Sequence, residues 1–176
     1  KDDKNQTFDC VVCQPPFSIR EWGYEQVMED SRFHRGIPPR SQGDFAFITQ
    51  VVESLNDQGK ALMILAPGAL FREGREGEIR KKLIEDNLIE TIISLPGNML
   101  YGTAIPVNIV IFNKKKETND IFFINASSFV ERSRMLSTLT PQSIDEIGKI
   151  YHQREEHAQI SKLVPLQQIQ ENRYNL

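Results

Sequence analysis

Three apolar runs in this chain end in the same way, and that shared ending restricts what it can fold into. The run Phe8–Cys13 stops at Gln14-Pro15-Pro16, residues 61–66 stop at Pro67-Gly68, and Ile89–Leu95 stops at Pro96-Gly97. A short continuous apolar run fits a strand buried on both faces of a parallel sheet, and proline, which has no N–H to give, ends its ladder. Between the runs, Phe45, Ile48, Val51, Val52 and Leu55 recur at helical spacing, with Asp44 or Ser41 as cap and Gly59 as terminator. Residues 78–87 form a charged helix with Ile79, Leu83 and Ile84 on one face. Further strands are expected at 107–112, ended in solvent by Lys114-Lys115-Lys116, and at 120–126. Thr140-Pro141 opens a helix with proline in its first position and Ile144, Ile147, Ile150 and Tyr151 on its buried face. Residues 163–176 carry only weak signals. Alternating strands and helices followed by consecutive strands predict an open α/β sheet with an antiparallel pair among its last strands. Ligands of such sheets lie beyond the carboxyl ends of the strands, so the three proline-marked ends should line one rim.

With 176 residues and 39% hydrophobic content, the chain is long enough for one domain and too short for two. Its 21 Lys and Arg against 24 Asp and Glu leave a net charge of -3, which provides no global field for a polyanion. No apolar run reaches the roughly 18 residues of a membrane span and no signal segment opens the chain, so a cytoplasmic protein is expected. The start at Lys1-Asp2-Asp3, without Met and with a strand close behind, reads as a piece of a longer protein. Cys10 and Cys13 form a C-x-x-C, but residues three apart on a strand face opposite ways, and His34, His152 and His157 offer no second ligand pair. Small buried thiols are the expectation, with no metal. Residues 18–43 make a loop longer than filler requires.

Gln14-Pro15-Pro16-Phe17 is the tetrapeptide with the most chemistry in it. Polar-Pro-Pro-aromatic after a buried strand resembles the Asn-Pro-Pro-Phe or Asn-Pro-Pro-Tyr motif of amino-directed methyltransferases. An exocyclic adenine amine is a poor nucleophile because its lone pair is delocalised, and two acceptors gripping its hydrogens favour the pyramidal geometry that frees the pair. The resemblance implies that Gln14 and the Pro15 carbonyl supply those acceptors, that Phe17 stacks on a base flipped from the duplex, and that Pro16 stiffens the turn. Gln stands where the family has Asn, so the amide sits one methylene further out.

Downstream blocks resemble the modification subunit of type I restriction-modification systems in the same order. They include Ile37-Pro38-Pro39-Arg40-Ser41, Asp44-Phe45-Ala46-Phe47, Leu70-Phe71-Arg72, Ile93-Ser94-Leu95-Pro96, Ile105-Pro106-Val107-Asn108 and the closing Glu171-Asn172-Arg173-Tyr174-Asn175-Leu176. The implied fold is the C-terminal half of a Rossmann-like methyltransferase sheet dependent on S-adenosyl-L-methionine (AdoMet), with an antiparallel terminal strand pair. Residues 1–176 would be the target-base half of the catalytic domain, with the cofactor half upstream, since no G-x-G turn occurs and Gly74 and Gly77 read as a surface loop. AdoMet is then the methyl donor of the intact protein but not a ligand of this piece alone. The implied partners are DNA, the specificity and restriction subunits, and the missing half.

Tyr101 falls in the loop that the family places over the target base, and together with Pro16 is a candidate base contact. Arg72, Arg75, Arg80, Lys81 and Lys82 could face phosphates, but Glu73, Glu76, Glu78 and Glu85 interleave with them as on a solvated helix face. Trp22, Phe33 and His34 are expected to pack the long loop onto the domain. Two other functions remain open: a methyltransferase acting on a protein glutamine amide, and a silent assembly module in which Gln14 marks decay.

Overall fold

The computed structural model describes residues 6–133 and 135–176; Lys1, Asp2 and Asp3, whose sequence reads as an internal start, lie outside the described residues. Six strands make one sheet: β1 (Phe8–Cys13), β2 (Leu55–Leu65), β3 (Ile89–Leu95), β4 (Val107–Asn113), β5 (Asp120–Asn125) and β8 (Ser161–Pro165), in the order β1-β2-β4-β3-β5-β8. β6 (Val130–Glu131) and β7 (Thr138–Leu139) form a separate antiparallel pair. β1 runs parallel to β2 and β3 parallel to β5, while β4 is antiparallel to both β2 and β3. β8 closes the sheet antiparallel to β5, so the α/β expectation with an antiparallel terminal pair is met.

The pleat sorts alternate side chains onto two cores. Ile92, Val110, Phe112 and Ile121 belong to the first cluster, which α1 (Asp44–Glu53), α3 (Arg75–Glu85) and α5 (Leu166–Glu171) cover with Phe45, Ile48, Ile79, Leu83 and Ile169. Ile93, Ile111, Phe122 and Ile124 belong to the second, which α4 (Pro141–Gln153) covers with Ile147. Thr140 caps α4 by accepting the Ser143 amide at 3.1 Å, as Thr140-Pro141 predicts. No helix among the described residues is long and apolar enough to cross a membrane.

Several local expectations need correction. The first helix ends at Glu53, where the Ser54 hydroxyl turns back to the Val51 carbonyl, and Leu55 already belongs to β2. Gly59 is therefore no helix terminator; a Cβ there would lie 2.8 Å from the Phe8 carbonyl oxygen, so it permits close approach of β1. Strand β1 is not buried on both faces but forms the sheet edge, with Val12 76% exposed. Cys10 is exposed and Cys13 half-buried, because only the face carrying Val11 and Cys13 meets the first core. Ile144 lies off the buried stripe of α4 and is exposed. Gly74 lies in the exposed turn before α3, as the loop expectation has it, but Gly77 lies within α3. Lys116 does not end a strand in solvent; its ammonium donates to Asn87 Oδ1 at 2.8 Å, and burial lowers its pKa to about 8. Residues 163–176, weak in signal, hold most of β8 and all of α5.

Candidate functional site

The parallel strands β1, β2, β3 and β5 all end at one edge of the sheet. Cys13 pairs with Met63, Leu65 and Leu95 flank the start of β4 at Asn108 and Val107, and Asn125 pairs with Ser94. Gln14 and Pro96 follow these ends directly and Pro67 follows after Ala66, so the three proline-marked turns share one rim.

On that rim Gln14 and Pro16 are exposed, Pro15 is buried and Phe17 is half-buried against the second core cluster. Neither the Gln14 amide nor the Pro15 carbonyl is held in a hydrogen bond among the described residues. Two acceptors one residue apart are thus without a partner among the described residues, one on exposed Gln14 and one on buried Pro15. Tyr101 is 89% exposed at the tip of the loop joining β3 to β4, where Leu100 and Thr103 form a bridge. Met99 and Leu100 of this loop pack on the same cluster as Phe17, so the loop base and the motif share an apolar support. Gly97 permits the loop's tight return, since a Cβ there would lie 2.3 Å from the Ala104 carbonyl oxygen. The structure brings Gln14, Pro15, Pro16 and Phe17 together and leaves Tyr101 on the neighbouring loop.

Behind the motif lies a group of charges that the sequence does not reveal. Ser18 takes a left-handed backbone conformation, φ 53°, and its amide donates to Asp44 Oδ1 at 2.8 Å. Asp44 opens α1 but caps nothing; its other oxygen pairs with Arg72, which also donates to Gln42 Oε1 at 2.6 Å and lies 3.1 Å from Glu76. The Gly43 amide donates to the Ile19 carbonyl at 2.9 Å, a second tie between the motif's sequel and α1. Asp44, Glu76 and Arg80 are buried, which corrects the solvated-face expectation for Glu76 and Arg80, while Glu73, Arg75, Glu78, Lys82 and Glu85 are exposed as that expectation has them. Burial pushes the Glu76 carboxyl up, against the pull of Arg72. An acid at a helix start normally signals capping, which is why Asp44 reads so in the sequence.

The long loop packs through Trp22 and Phe33 as expected, but not through His34. Trp22 stacks on buried Phe33 with ring centroids 6.1 Å apart, and its indole donates to the Pro39 carbonyl at 3.1 Å. His34 is exposed, 3.7 Å from Glu53. A cavity of about 490 Å³ lined by Ser94, Asn125, His157 and Lys162 lies toward β8, at the far end of the sheet from Gln14.

Residues 1–176 match the family described as N-6 DNA Methylase. The chain belongs to the N-6 DNA methylase family. It is 33% identical over 174 residues to the type I restriction enzyme MpnII methylase subunit of Mycoplasma pneumoniae, covering 96% of this chain and 32% of that protein. It is 30% identical over 181 residues to the HindI methylase subunit of Haemophilus influenzae, covering 98% and 41%. The type I restriction-modification system methyltransferase subunit from Streptococcus thermophilus has the same fold, with a TM-score of 0.92 at 33% identity over 99% of this chain and 38% of that one. The chain therefore spans less than half the length of the relatives it matches.

A nucleotide-like cofactor of this fold sits at a glycine turn after a strand, and the glycines between β2 and α3 do not make one. Gly68 lies in the short helix α2 (Gly68–Phe71) with the Arg72 guanidinium against it, and Gly74 and Gly77 serve the start of α3. None of them forms a tight glycine turn between a parallel strand and a helix, where this fold cradles a nucleotide-like cofactor.

Proposed function

We propose that this N-6 DNA methylase segment is the target-base half of a site-specific adenine methyltransferase of a type I restriction-modification system. The intact enzyme would transfer a methyl group from AdoMet to the exocyclic amine of adenine. The observation that carries this reading is the Gln14-Pro15-Pro16-Phe17 turn, set on the carboxyl rim with neither acceptor hydrogen-bonded among the described residues.

In this account the Gln14 side-chain oxygen and the Pro15 carbonyl accept one amine hydrogen each. That grip draws the nitrogen out of conjugation and turns its lone pair toward the methyl donor. Phe17 stacks on the flipped base, Pro16 restricts the turn, and Tyr101 approaches the base from its loop. AdoMet supplies an electrophilic methyl group when bound, held mainly by parts of the enzyme outside this chain. A net charge of -3 gives DNA little general attraction, so the specificity and restriction subunits are the partners expected to hold and read the duplex.

The chain by itself should neither bind AdoMet with useful affinity nor methylate DNA. Strand β1 has an unpaired edge among the described residues, which a strand from the rest of the catalytic domain would complete. Incubating the intact gene product, with its specificity subunit, with DNA and methyl-labelled AdoMet tests the reading. Label on the adenine amine is expected; label recovered instead on a protein glutamine amide, or no transfer at all, contradicts it.

A further inference from the structure

The Gln14–Phe17 motif is clamped from both faces of the sheet. Phe17 packs on the second core cluster, while the next residue, Ser18, is tied to α1 on the opposite face through the 2.8 Å bond from its amide to Asp44 Oδ1. Asp44 is 4% exposed, and its second oxygen pairs with Arg72, which stands just after α2 and hence just beyond the end of β2. One carboxylate thereby joins the turn at the end of β1 to the segment at the end of β2. Of the three residues between Gln14 and Ser18, Pro15 and Pro16 have φ fixed by their rings and Phe17 is held against the second core cluster, so Gln14 has less freedom to drift once Ser18 is anchored.

We propose that Asp44 is a positioning residue for adenine methylation: by holding the Ser18 amide while Arg72 fixes its other oxygen, it sets where Gln14 and Pro15 meet the target amine. The inference rests on the function read for the Gln14–Phe17 turn. Asp44 touches no substrate and acts through the turn alone. Such a residue should govern turnover rather than binding, because a displacement near 1 Å costs on the order of 100-fold in rate.

The test uses the full-length methyltransferase subunit assembled with its partners. The parent's turnover is measured first, so that a parent unable to methylate adenine overturns the functional reading before any substitution is made, and this inference with it. Asp44→Ala should then lower kcat by about 100-fold while the KM for DNA and for AdoMet change little. Asp44→Asn, which keeps an acceptor for Ser18 but turns an amide N–H toward Arg72, should recover only part of that loss. Hydrogen exchange at the Ser18 amide reads the tether without turnover: slow in the parent and in Asp44→Asn, fast in Asp44→Ala. If Asp44→Ala does not fold, Asp44→Leu with Arg72→Met replaces the buried pair by apolar side chains and is read in the same way. An opened tether with kcat unchanged, or loss of kcat only in step with loss of folded protein, would overturn the proposal; so would Ser18 exchange equal to the parent's.

Discussion

Arg80, buried in α3, donates through Nε to the main-chain carbonyl of Tyr174, 94 residues later, at 2.8 Å. The same guanidinium donates to the Arg72 carbonyl at 2.8 Å and to Asn175 Oδ1 at 3.1 Å, while the Leu176 amide reaches the Leu70 carbonyl at 3.0 Å. The closing Tyr174-Asn175-Leu176 segment is thus docked where α2 and α3 meet, directly behind the end of β2. Substituting Arg80 by Ala strands these acceptors and leaves Glu76 with one cation fewer. We expect a loss of about 3 kcal/mol, since each buried acceptor left unmade costs about 1 to 3. Urea denaturation should show it, and limited proteolysis should release residues 172–176 first.

Another buried acid, Glu90, holds the opposite end of the sheet. Tyr151 donates to its Oε1 at 2.7 Å, Lys60 lies 3.1 Å from Oε2, and Asn113 donates as well. Burial alone would raise its pKa, but the bonds from Tyr151 and Lys60, the Lys60 charge and the Asn113 amide together hold it below the ordinary 4.5. The stability it contributes is therefore present above that value and lost as pH falls through the lower folded pKa. Tyr151→Phe should cost about 1 to 3 kcal/mol near neutral pH. The gap to the parent should narrow as acid protonates the carboxyl in both, which thermal melts across the acid range will show.

Lys116 works the other way. Burial brings its pKa from 10.5 down to about 8, with Arg154 adding to the shift and Asp120 opposing it. Between those values the unfolded chain binds more protons than the folded one, so stability should climb as pH rises from about 8 toward 10.5. Lys116→Met should abolish the climb; an identical slope in parent and variant would show that Lys116 is not its source.

How much of this was readable in advance depended on what kind of signal a residue leaves. The rim was legible because proline stops a strand for a local reason, visible at Pro15, Pro67 and Pro96. The helix over residues 44–53 was legible from apolar spacing, but its end was not, because Leu55 continues the period while starting a strand. A run such as Phe8–Cys13 looks the same whether its second neighbour is present or belongs elsewhere, so the exposure of Val12 could not be read from it. Placement of β4 between β2 and β3 is a long-range choice with no local mark. Glu76 and Arg80 look like any surface pair of a charged helix, and only their contacts show that they are interior. At the site, Gln14 through Phe17 announced themselves as a motif, whereas Asp44 and Ser18 meet 26 residues apart and carry no pattern of their own.

The central claim is that Gln14 and Pro15 hold the adenine amine, and the side chain of Gln14 is the part that can be changed without touching the backbone. Turnover of the intact methyltransferase on its DNA site, compared among parent, Gln14→Asn and Gln14→Ala, measures that grip. Gln14→Asn restores the family's shorter amide and should equal or exceed the parent, whereas Gln14→Ala removes one acceptor and should lower kcat by roughly 100-fold, as loss of one stabilising polar group at a reacting centre does. A Gln14→Ala enzyme that turns over as fast as its parent would contradict the account.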